Sequence, residues 1–124
     1  MAASARSEPL LQITLLGEAV EHAPVGVFVF DEDGRYVAVN TYASELVGYP
    51  RDELLERRVG ELASNPDEAL QTYRRAVADG TGEGTTRVRR KDGTESTLRF
   101  RARQTSIGGM TFYIGIAWPE AAAS

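Results

Sequence analysis

The stretch from Thr85 to Trp118 leaves the chain least freedom, because its polarity repeats every second residue. Thr97, Arg99, Arg101 and Arg103 alternate with Leu98, Phe100 and Ala102. Successive side chains of a strand point to opposite faces, so this segment is a strand with one apolar and one cationic face. Val88, flanked by Arg87 and Arg89, carries the same pattern upstream. Lys91-Asp92-Gly93-Thr94 and Gly108-Gly109 are tight hairpin turns by residue type. Met110 to Trp118 is the third strand, apolar on both faces and closed by Pro119. Three strands joined by two such turns build an antiparallel sheet.

The first half of the chain mixes periods. Residues 1–8 are small and polar and read as a disordered N-terminus, as residues 120–124 read as a flexible tail. Between Pro9 and Glu21, Leu10, Ile13, Leu16 and Val20 recur at helical spacing, with Leu11, Leu15 and Ala19 as a second stripe. So wide an apolar face on a flanking helix, residues 9–23, implies contact on two sides. Gly26 to Phe30 and Tyr36 to Val39 read as a hairpin around Asp31-Glu32-Asp33-Gly34. Asn40 stands where a helix N-cap belongs, and Gly48 where that helix stops. Pro50 to Arg57 opens a short helix. Asn65-Pro66 begins a longer one ending at Asp79-Gly80, with Ala69, Leu70, Tyr73, Ala76 and Val77 inward. Thr81 to Gly84 reads as a flexible link. Helices and a separate antiparallel sheet give an α+β class with a single domain over residues 24–119.

Composition removes several kinds of chemistry. The 124 residues include no cysteine and one histidine, His22. Disulfides, thiolate metal sites, cysteine nucleophiles and multi-histidine metal centres are excluded within one chain. His22 reads as a helix-end histidine, with a pH-sensitive contact as the alternative. No nucleophile–base pair suggests catalysis. Net charge is −4, unevenly spread: residues 1–79 carry seven basic and fourteen acidic side chains, residues 80–124 seven and four. Arg87, Arg89, Arg99, Arg101 and Arg103 form cationic rows without a nucleic-acid recognition motif, so a solvated face or an acidic partner is expected and nucleic acid is not. Gly80, Gly82 and Gly84 lack the lysine of a phosphate loop. With no long apolar run and no signal-peptide pattern, neither membrane insertion nor export is expected, and the cytoplasm is the default.

The order of elements and several local runs resemble a PAS domain. Gly26-Val27-Phe28-Val29-Phe30-Asp31 with Asp33-Gly34-Arg35 is similar to that family's first hairpin. Asn40, Ala43, Leu46, Gly48 and Tyr49 resemble its next segment, and Arg51-Asp52-Glu53-Leu54-Leu55 the short helix that follows. Arg90-Lys91-Asp92-Gly93-Thr94 resembles the turn between its third and fourth strands, and Gly115 its last strand. The resemblance implies a five-stranded antiparallel sheet in the order 2-1-5-4-3, with short helices on one face. It also implies a sensory or interaction module that signals through dimer contacts and flanking helices.

The resemblance has gaps that bear on cofactors. The family's flavin-binding branch has a reactive cysteine where this chain has Glu56-Arg57-Arg58-Val59. That branch presents amides where this chain has Val88, Ser96 and Ala117. A flavin's polar edge against Val and Ala would stay unpaired, at about 1–3 kcal/mol per group, which argues against flavin. The haem branch uses a histidine from the long helix, and Pro66 to Asp79 has none, so haem is not expected; Tyr73 reads as core. Ala117-Trp118-Pro119-Glu120 replaces the family's Asp-x-Thr exit motif.

By the same resemblance, Phe28, Phe30, Val39, Leu46, Tyr73, Val88, Leu98, Phe100, Tyr113 and Ala117 face a pocket, with Ser96 near its rim. Tyr73 and Tyr113 would be its hydroxyl handles. Such a pocket suits a small apolar or aromatic ligand, or a fatty-acid-like chain. The alternative is a filled core without a ligand. Phe112, Ile114, Ile116 and Trp118 make an outer face too apolar to stay in water. The N-terminal helix and a second subunit would cover it, through Leu11, Leu15 and Ala19, giving a homodimer; the alternative is a monomer covered by its own helix. The reading is a PAS sensory module, possessing no catalysis of its own, with a signalling partner conceivable; the rival is a PAS–PAS interaction module.

Overall fold

Three of the four helices in the computed structural model, which describes residues 8–120, begin at a side chain that caps them. Helix α1 (Pro9–Glu21) starts behind Glu8, whose carboxylate accepts from the Leu10 amide. Asn40 caps α2 (Thr41–Val47) through the Ala43 amide, and Asn65 caps α4 (Pro66–Asp79) through the Glu68 amide. The short α3 is Arg51–Leu54, less than the Pro50–Arg57 expected. Gly48 and Gly80 end α2 and α4 with φ of 73° and 76°, the left-handed region that glycine enters without steric cost.

The strands are β1 (Gly26–Asp31), β2 (Tyr36–Val39), β3 (Thr81–Arg89), β4 (Glu95–Ile107) and β5 (Met110–Pro119). They form one antiparallel sheet in the order β2-β1-β5-β4-β3, as the resemblance implied. Phe28, Val39, Ala43, Leu46, Val47, Leu54, Leu62, Val88, Leu98 and Ala117 form the core cluster. The β3–β4 turn is tied to it, because Arg90 donates from Nε to the Leu46 carbonyl at 3.0 Å.

Three expectations are corrected. Thr81–Gly84 is the first half of β3, paired with Arg103 to Phe100 of β4. Its glycines serve closeness rather than flexibility: a Cβ added at Gly82 would lie 2.9 Å from the Ala76 Cβ of α4. The inward face of α4 is Ala69, Thr72, Tyr73 and Ala76, while Leu70 and Val77 stay exposed. Helix α1 stops at Glu21 rather than at residue 23, covers no sheet face, and none of its residues is buried. The readings of disorder in residues 1–7 and of a flexible tail in residues 121–124 lie outside the described residues.

Candidate functional site

Small residues open a space between α4 and the sheet. Ala69 and Ala76 of α4 and Ala102 and Gly115 of the sheet border it, and none carries more than a methyl side chain. The space left is a cavity of about 640 Å³, partly open to solvent. Phe28, Phe30, Leu98 and Phe100 line its sheet wall, joined by Val88 and Ala117. Tyr73 and Thr72 line the helix wall, and the loop from Val59 to Asn65 closes a third side.

Seven of the expected pocket residues therefore line the cavity: Phe28, Phe30, Tyr73, Val88, Leu98, Phe100 and Ala117. Four do not. Val39 and Leu46 are buried in the core, outside the lining. Tyr113 is buried behind Phe30, stacked on its ring at 5.4 Å and edge-on to Tyr73 at 6.3 Å. Ser96 pairs with Val88 across β3 and β4 and is half-buried, outside the lining. The Tyr73 hydroxyl is not the free handle expected. It donates to the Glu32 carbonyl at 2.9 Å, pinning α4 to the β1–β2 turn. Burial pushes that hydroxyl's pKa up, helped by Tyr113 and the acidic turn.

The alternation reading missed Tyr36 and Ser64. Residues of β2 should alternate, placing Tyr36 opposite in sense to Val39. A bulge between Val29 and Phe30 shifts the register, so Phe28 pairs with Val39 but Phe30 pairs with Tyr36. Tyr36 thereby turns inward, its ring 5.7 Å from that of Phe28 and 6.3 Å from that of Phe30. Burial, reinforced by the negative charge of Glu61, pushes its hydroxyl up to about 12. It is thus a neutral donor at physiological pH. Ser64 lies in the closing loop, and its hydroxyl oxygen is buried with no hydrogen-bond partner. No periodicity could place a loop serine there. Among the described residues no cluster of His, Asp and Glu could hold a metal ion.

A sequence model of the PAS fold matches residues 20–118. The chain belongs to the PAS family. No curated protein sequence matches it. A PAS domain from a two-component sensor histidine kinase superposes with a TM-score of 0.80 at 15% identity, covering 91% of this chain and 100% of the other. A domain of a sensory box sensor histidine kinase/response regulator from Geobacter sulfurreducens gives 0.77 at 27% identity, covering 90% and 96%. An RNA-binding light-oxygen-voltage receptor gives 0.80 at 26% identity, covering 96% of this chain but 36% of that one.

The other face of this PAS domain is built differently. Phe112, Ile116 and Trp118 of β5 are half-buried on the outer side, and Ile114 is 42% exposed. Arg99, Arg101 and Arg103 pair in register with Trp118, Ile116 and Ile114 and flank that apolar row. The arginines are largely answered within the chain: Arg87 and Arg89 by Glu95, Arg99 by Glu120, Arg101 by Glu83. Leu11, Leu15 and Ala19 of α1 are exposed.

Helix α1 is held near its C-terminal end. The buried Asn40 amide uses all four of its hydrogen-bonding positions. Its oxygen accepts from Val27 and Ala43 amides, and its nitrogen donates to the Val20 and Val25 carbonyls at 2.7 and 3.0 Å. The Glu21 carboxylate accepts from the Thr41 amide and hydroxyl and from the Arg51 guanidinium. His22 stays exposed, 3.5 Å from Glu18. Among the described residues no helix is long and apolar enough to cross a membrane.

Proposed function

We propose that this PAS domain is a sensory module without catalysis of its own. A small apolar or aromatic molecule occupies the cavity beneath α4. The response leaves through α1 and the outer face of β5, where a second copy of the chain packs. The observation that carries this reading is the cavity itself, about 640 Å³ beside a fully formed core. A ligand that prefers one packing of the cavity walls shifts the module toward it. The solved relatives that are sensor-kinase domains support a sensory role, and a signalling protein as a further partner.

The ligand is neither flavin nor haem in this proposal. Val88 and Ala117 offer no polar group to a flavin edge, and α4 offers no histidine to iron. The intrachain pairing of the arginines argues against a nucleic-acid surface, and the proposed setting is the cytoplasm. The homodimer reading rests on α1 and on Ile114, whose apolar surface is exposed.

Native mass spectrometry of the purified chain, compared with its denatured mass, tests the proposal. Extra mass lost on denaturation supports a pocket ligand and gives its size. A dimer without extra mass favours the second reading, an interaction module whose role is PAS–PAS pairing. The exposed apolar stripes of α1 are the observation behind that reading.

A further inference from the structure

The cavity is apolar, but it is not without preference. Among its unengaged hydroxyls, two stand out by their placement. Ser64 lines the cavity, and its Oγ is buried with no partner. A buried hydroxyl left unpaired destabilises a fold, so such a group in a cavity wall is a contact awaiting an occupant. Tyr36 also lines the cavity, turned inward where the β1–β2 register skips Val37, and its hydroxyl makes no hydrogen bond among the described residues. The other buried polar side chain, Asn40, is saturated.

Charge separates the candidate ligands. The charged side chains in the lining, Glu68, Arg87 and Glu95, are exposed at the rim, and Arg87 is paired with Glu95 at 3.0 Å. An anion in the interior would be desolvated with no cation to receive it. Glu61, whose charge already acts on the Tyr36 hydroxyl, adds to the penalty. The walls, Phe28, Phe30, Leu98 and Phe100, suit a flat ring body.

We propose that Tyr36 and Ser64 are the polar contacts of this site, and that its ligand is an uncharged ring compound carrying a carbonyl-type acceptor. The inference rests on the cavity reading above and sharpens it: a fatty-acid-like carboxylate is disfavoured.

Three probes sharing one ring system test it by calorimetric titration of the full chain: naphthalene, 2-acetylnaphthalene and 2-naphthoate. The ketone should bind about tenfold tighter than naphthalene, and the carboxylate about tenfold weaker than the ketone. Tyr36→Phe and Ser64→Ala should each weaken the ketone about three- to tenfold and leave naphthalene unchanged. Ser64→Ala should also keep or raise the melting temperature, because it removes an unpaired buried hydroxyl; a merely structural serine would lower it. Ketone affinity unmoved in both variants would overturn the assignment of the two hydroxyls while leaving the cavity reading intact. Tightest binding by naphthoate would overturn the uncharged ligand. Binding by none of the three would overturn the cavity reading itself, and this inference with it.

Discussion

Helices α1 and α4 are nearly equal in length, 13 and 14 residues, and both begin with proline behind a capping side chain. The more apolar of the two is the one that packs against less. Helix α1 carries Leu10, Leu11, Ile13, Leu15, Leu16 and Val20, all of them exposed. Helix α4 carries mostly polar residues, yet it buries Ala76 against β3 and roofs the cavity. The difference lies in what each helix can approach. Small residues let α4 and β3 come within contact distance, whereas the bonds from Asn40, Thr41 and Arg51 reach α1 near its last turn. A helix of this length with little tertiary contact is marginal in water, which is why the proposed dimer places a second copy against α1. Hydrophobic content says that a helix must be covered; it does not say by what.

The joint between the two regions should be the most sensitive point. Asn40→Ala removes four hydrogen bonds at once, the α2 N-cap among them, leaving the Val27 amide and the Val25 carbonyl without their partner. We expect a loss of about 3 kcal/mol in urea unfolding, from the cap and the unpaired groups together. A loss below about 1 kcal/mol would mean that α1 and α2 are held by something other than this amide.

Next in size is Gly82→Val, which tests the α4 side. Because even a Cβ there would stand 2.9 Å from the Ala76 Cβ, α4 must shift. Overpacking of this kind costs about 1–3 kcal/mol. The matching change on the α1 side is the pair Leu11→Asp and Leu15→Asp. It should leave the unfolding free energy of the monomer within about 0.5 kcal/mol, because neither residue is buried. It should abolish the proposed dimer in light scattering. An unaltered dimer would move the interface away from α1.

The parts legible in the sequence are those set by neighbours along the chain. The Asn40 and Asn65 caps, the Gly48 and Gly80 stops and the turn at Asp92-Gly93 are short-range chemistry, and α2, α4 and the β3–β4 turn fall where expected. The misread parts depend on contacts between distant residues. Gly82 and Gly84 look like a linker until Ala76 and Phe100 are placed against them. Leu70 and Val77 look inward by helical spacing, but the close approach at Ala76 rotates that face away. The site divides in the same way. Phe28 and Phe30, like Leu98 and Phe100, share a face by strand alternation, and the resemblance turns that face to the pocket, whereas Tyr36 depends on one register shift and Ser64 on the path of a loop.

The smallest expected effect is electrostatic and concerns the latch at the end of α1. The Thr41 hydroxyl, and after it the Arg51 guanidinium, hold the Glu21 carboxyl below its ordinary value of 4.5. A depressed folded-state pKa means that the native state favours the carboxylate. Its contribution is therefore complete above the unfolded pKa and is lost as pH falls through the folded one. The group is exposed, so salt screens it and the effect on global stability is slight. The melting temperatures of the wild type and Glu21→Gln should differ near about pH 7 and converge by about pH 3. Hydrogen exchange locates the difference. In Glu21→Gln at neutral pH, α1 amides should lose protection while β5 amides keep theirs, because the latch joins α1 to Thr41 and Arg51 and touches no strand. Equal loss in both elements would show that α1 and the sheet open together, and the contrast between a tethered α1 and an embedded α4 would then fail.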